Sequence, residues 1–95
     1  MAVKHETVTV GTTATVLSTA VDTSGAPFGE VERSSVFTNT GAVSVFIGGA
    51  DVATDDYGYE LTAGASLALD LNKGEAPFGI VASGTADVIV LHLGV

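Results

Sequence analysis

Between Gly48 and Leu61 the chain reads GGADVATDDYGYEL, which sets Asp51, Asp55, Asp56 and Glu60 among Tyr57 and Tyr59. Hard carboxylate oxygens in a flexible loop are what a calcium ion takes. The spacing is not that of an EF-hand, and no flanking helices are apparent. The four acids therefore stand as weak metal candidates beside a plainer reading, a solvated acidic turn. Two carboxylates could also hydrolyse a glycosidic bond if held about 5 to 9.5 Å apart. That chemistry needs a cleft, and a chain of 95 residues shapes only a small one. Tyr57 and Tyr59 suit contact better than catalysis, because each carries an apolar ring with a polar tip. With Gly58 between them, both are expected on one side of an extended segment as partner-binding residues.

Histidine chemistry would rest on His5 and His92. His5 lies near the start of the chain. His92 sits in a hydrophobic C-terminal run, where a packed or interfacial role is expected before a catalytic one. Ser and Thr are plentiful, as strands and turns want them. There is no G-x-S-x-G elbow, phosphate-binding loop, H-E-x-x-H or C-x-x-C. The chain has no Cys, which excludes zinc–thiolate chemistry and disulfides. No enzyme activity and no cofactor are expected.

Charge narrows the partners. Eleven acids against Lys4, Arg33 and Lys73 give a formal net charge of −8. Such a surface repels nucleic-acid phosphates and anionic membranes, and no Lys/Arg cluster offsets it. The start, MAVKHETVTVG, has one Lys and no apolar run of the length a signal peptide needs. The longest apolar runs are far short of a membrane span.

The elements that must position these residues are strands. HETVTV (5–10) alternates with period two, and TTATVLSTA (12–20) is β-branched again after Gly11. VDTSGAPFG (21–29) is a turn-rich connection. RSSVFT (33–38) and AVSVFI (42–47) flank Asn39-Thr40-Gly41, the strongest hairpin signal in the chain, with Gly41 to supply a positive φ. Residues 50–59 are polar, and Leu61 to Gly64 reads as a turn. SLALDL (66–71) puts Leu67, Leu69 and Leu71 on one face; helix is its alternative, made unfavourable by the short run between Gly64 and Gly74. PFGIVA (77–82) begins on Pro77, where a missing N–H is tolerated. ADVIVLHL (86–93) closes the chain.

No window carries a stripe of period 3.6. The expectation is one all-β domain, a small antiparallel β-sandwich or partly open barrel of six to eight short strands. Residues 1–11 are an N-terminal arm or first strand, and 12–95 the body. Ala26-Pro27-Phe28-Gly29 recurs as Ala76-Pro77-Phe78-Gly79, by duplication of a half-domain or by shared turn chemistry.

The last strand is apolar on both faces: Val88, Val90 and His92 point one way, and Asp87, Ile89, Leu91 and Leu93 the other. An antiparallel sheet in a small domain commonly has one solvated face. Val88, Ile89, Val90, Leu91 and Leu93 are therefore the expected oligomer interface. Ala42 to Ile47 carries a weaker form of the same pattern.

Asn39-Thr40-Gly41, Val43 to Gly49, Tyr59-Glu60-Leu61 with Ala63 to Leu67, and Ser83-Gly84-Thr85-Ala86-Asp87-Val88 resemble small all-β virion proteins of tailed bacteriophages. The resemblance covers roughly residues 36–93. It implies a capsid decoration (cement) protein on the outside of the assembled shell, a homotrimer bound to the major capsid protein, and no catalytic residues. It also implies a docking role for the N-terminal segment, with Lys4 and His5 as partner-binding residues. The reading of another class is a carbohydrate- or receptor-binding β-sandwich, calcium-assisted, using Tyr57, Tyr59 and the acidic loop.

Overall fold

The computed structural model describes residues 3–18 and 32–93. Among these residues eight strands form: β1 (Val3–Val10), β2 (Thr15–Val16), β3 (Arg33–Asn39), β4 (Val45–Gly48), β5 (Tyr59–Leu61), β6 (Ser66–Leu71), β7 (Phe78–Ile80) and β8 (Ala86–Leu93). They make two four-stranded sheets, ordered β1-β8-β3-β6 and β2-β7-β4-β5, with antiparallel pairing throughout. The all-β sandwich reading holds. This strand order is that of an eight-stranded jelly roll, a sandwich built from two Greek keys.

Alternation decides what lies between the sheets. On β8, Ala86, Val88, Val90 and His92 are buried, and the residues between them are exposed or half-buried. On β1 the buried pair Val8 and Val10 faces Val88 and Ala86 across the ladder. Phe37 of β3 and Val45, Ile47 and Leu61 from the other sheet complete the core with Leu17 and Val81. Leu67, Leu69 and Leu71 pack against it half-buried, because β6 is an edge strand. SLALDL is thus a strand with its leucines inward.

Three local expectations fail. First, Asn39-Thr40-Gly41 is not a hairpin turn. β3 belongs to one sheet and β4 to the other, and among consecutive strands β4 and β5 alone pair with each other. Gly41 does not have a positive φ. Its requirement is proximity: a Cβ there would lie 2.7 Å from that of Ala86. Second, of the strand expected over 12–20, the described residues 12–18 form only Thr15–Val16, because residues 12–13 bend the chain from one sheet to the other; residues 19–20 lie outside the described residues. Third, Leu61 is strand, not turn. It closes β5 fully buried, and the turn begins at Thr62, where Ala65 N–H donates to the Thr62 carbonyl. Gly64 supplies the positive φ (+80°) that this turn needs.

Pro77 stands immediately before β7, and its carbonyl accepts from Leu17 N–H at 2.9 Å. The whole 21–29 connection, with the earlier Ala26–Gly29 copy, lies outside the described residues.

Candidate functional site

The acidic stretch is a loop between the paired strands β4 and β5. Its backbone is pinned from within. Val52 is buried, its N–H donates to the Gly49 carbonyl, and Ala53 and Asp56 exchange backbone hydrogen bonds. Asp51, Asp55, Asp56 and Glu60 all remain exposed. Among the described residues no three His, Asp or Glu side chains converge as a metal site would need. The stretch reads as a surface turn.

The two tyrosines part company. Tyr57 packs on Phe46, with ring centroids 4.6 Å apart and planes tilted by 52°. Phe46 alternates with the buried Val45 and Ile47, so this pair lies on the outer face of the β2-β7-β4-β5 sheet. Tyr59 has the parity of buried Leu61 and stands opposite Ile47. Lys4 and His5 divide likewise: Lys4 shares the inward side of β1 with Val8 and Val10, and His5 is exposed on the outer side. The four expected contact residues do not form one surface.

A constellation that sequence reading missed lies inside the β1-β8-β3-β6 sheet. His92 of β8 places Nδ1 2.8 Å from Ser35 Oγ of β3 and Nε2 3.0 Å from Glu6 Oε2 of β1. These are the residue types of a serine-hydrolase triad. A nucleophile must meet its substrate, however, and Ser35 and His92 are 1% and 0% exposed. A depression of about 510 Å³ at this end is lined by Glu32, Arg33, Ser34, Asp70, Leu71, Asn72 and Leu93, and reaches neither of them. Arg33 is also buried, donating to Ser18 Oγ at 2.9 Å and to the Glu75 carbonyl at 2.8 Å. Desolvation lowers the Arg33 pKa, and the charges of Glu75 and Glu6 oppose that shift. The arrangement is a buried polar layer at one end of the sandwich. Its signal was available in the parity of the strands: Glu6 aligns with Val8, Ser35 with Phe37, and His92 with Val90.

The outer face of the same sheet is different. Residues of one parity bring Val3, Leu93, Leu91, Val36 and Ile89 together in register, with Ala68 beside Val36. Val3, Ile89 and Leu93 are 66%, 41% and 38% exposed. Hydroxyls and two carboxylates border the stripe, and the carboxylates are tied down: Thr9 donates to Asp87 at 2.8 Å and Ser34 to Asp70 at 2.7 Å. Of the expected interface residues, Ile89, Leu91 and Leu93 belong to this surface. Val88 and Val90 do not, because they are fully buried in the chain's own core.

The chain matches no protein-family model, and no curated protein or solved structure matches it.

Proposed function

We propose that this is a non-enzymatic structural protein that coats an assembled virion shell, docking on the major capsid protein through the outer face of the β1-β8-β3-β6 sheet, and that it works as a homo-oligomer. The shell as partner rests on the resemblance carried by residues 36–93. The choice of surface rests on one observation, an exposed apolar stripe on a chain of net charge −8. Such a chain resists close contact over most of its surface. Among the described residues the ionisable neighbours of the stripe from Val3 to Ile89 are His5, Asp70 and Asp87 on its face and Glu32 beside Leu93 at its end. The loop with Asp51, Asp55 and Asp56 belongs to the other sheet.

Size argues for several copies acting together. Eight residues of β8 at about 3.3 Å each, across four strands about 4.8 Å apart, give a face of roughly 500 Å². A standard interface buries about 800 Å² per partner. Linked copies on a repeating lattice gain the difference through effective concentration. Binding only the assembled lattice then stabilises that state by mass action.

Co-sedimentation with assembled shells and with free shell subunits tests this. Saturable binding at fixed stoichiometry to shells alone is expected. Equal binding to free subunits, or none to shells, overturns the reading.

A second reading has its own observation. Phe46, Tyr57 and Glu60 meet on the outer face of the β2-β7-β4-β5 sheet, with Glu60 opposite Phe46. An aromatic surface beside a carboxylate is what a sugar ring binds, and jelly rolls serve lectins as well as capsids. Fold alone does not choose between them. Titration with glycans, with and without calcium, distinguishes this reading from the first.

A further inference from the structure

The four sheet edges are unequal. β2 and β5, the edges of one sheet, have two and three residues. β6, an edge of the other, carries the outward Asp70. β1 is eight residues long, runs in unbroken register with β8, and has no strand on its other side among the described residues. Three guards of an edge, a proline, a bulge and brevity, are missing from it; its charged residues, Lys4 and Glu6, stand on its inward side, Glu6 against His92.

Which of its backbone groups face that open side follows from the ladder. Thr40 N–H donates to the Asp87 carbonyl, so Asp87 and the residues of its parity in β8 bond toward β3. Val88, Val90 and His92 therefore bond toward β1, where they meet Val8, Glu6 and Lys4. The N–H and C=O groups of Val3, His5, Thr7 and Thr9 are left directed outward.

We propose that β1 pairs with β1 of a second copy, antiparallel about a two-fold axis at His5, to make one continuous eight-stranded sheet. Charge selects the occupant and the register. With His5 opposite His5 of the second copy, Lys4 of each copy falls opposite Glu6 of the other, twice by symmetry. This is a non-hydrogen-bonded pair, where side chains approach most closely. An axis at Glu6 would set two carboxylates face to face, and one at Lys4 two ammonium groups. An axis at Thr7 would set both charges against Val8 and Val10. A two-fold contact is self-complementary and closes at the dimer. It brings the two outer apolar stripes onto one surface, and it does not depend on what that surface docks against.

The free protein tests this without any shell. Light scattering should give twice 9.5 kDa. Thr7→Pro removes an outward N–H but no bond to β8, as edge strands tolerate. It should give a monomer with an unchanged far-ultraviolet circular dichroism spectrum. Because the chain has no Cys, single cysteines report the register. His5→Cys should form a disulfide-linked dimer under mild oxidation, its Cα atoms lying about 5.5 Å apart. Thr9→Cys, away from the axis, should not. A wild-type monomer or trimer overturns the proposal, as does a dimer that folded Thr7→Pro leaves intact. If Thr7→Pro unfolds, the cysteines decide: equal cross-linking at both positions contradicts the register and the edge.

Discussion

The Asn39 side chain, at the end of β3, donates a hydrogen bond 2.9 Å long to the Leu61 carbonyl of β5 and so joins the two sheets. The same nitrogen reaches the Val43 carbonyl at 2.7 Å, and Oδ1 accepts from Gly41 N–H at 2.9 Å. The backbone of Asn39 bonds Ala65 and Gly64 as well. One fully buried amide thus fixes two sheet-crossing connections, β3 to β4 and β5 to β6.

Asn39→Ala strips a partner from three backbone groups, which should cost about 2–4 kcal/mol in urea unfolding. Asn39→Asp keeps the shape but turns the donor into an acceptor facing two carbonyls. It should cost at least as much. A value for Asn39→Asp within about 0.5 kcal/mol of the wild type would show that these bonds do not hold the sheets.

Gly41→Ala forces its new Cβ against Ala86 and should lose about 1–3 kcal/mol by overpacking. Ala86→Gly in the same chain should recover part of that loss. A double-mutant cycle measures the coupling. Additive effects would mean that Gly41 is needed for its backbone conformation instead.

Ser35 should not react with a fluorophosphonate in the native protein, because neither it nor His92 is open to solvent. Ser35→Ala should cost about 1 kcal/mol, as for a lost buried hydrogen bond. Mass spectrometry of the treated protein checks the first statement. A phosphonylated Ser35 would mean that the polar layer opens and that its serine has chemical use.

Addition of millimolar calcium should leave the thermal midpoint where it was, since exposed acids that do not converge offer no site. A ligand that binds only the folded state must raise the midpoint. A calcium-dependent rise would return the loop between β4 and β5 to the list of functional sites and favour the glycan reading.

What was legible in the sequence was what depends on neighbours along the chain. Alternation placed β1, β3, β6 and β8 and identified both faces of the last strand. What crosses the sandwich was not legible. Asn39-Thr40-Gly41 looks the same whether the chain turns back into its own sheet or passes to the other, and the decision lies with Leu61 and Ala86, distant in sequence. Burial of His92 was expected, but its bonds to Glu6 and Ser35 depend on β1 and β3 flanking β8. Parity alone shows which side a residue takes, and register decides whom it meets.

The docking face is tested most directly by comparing two substitutions on opposite sides of the sandwich. Ile89→Asp places a charge at the apolar stripe, and Tyr57→Ser removes the ring that covers Phe46. Both should remain folded by circular dichroism. In co-sedimentation with assembled shells, Ile89→Asp should weaken binding about tenfold or more, as loss of an interface hot spot does, and Tyr57→Ser should bind as the wild type. Wild-type binding by Ile89→Asp together with loss in Tyr57→Ser would contradict the assignment and move the docking surface to the other sheet.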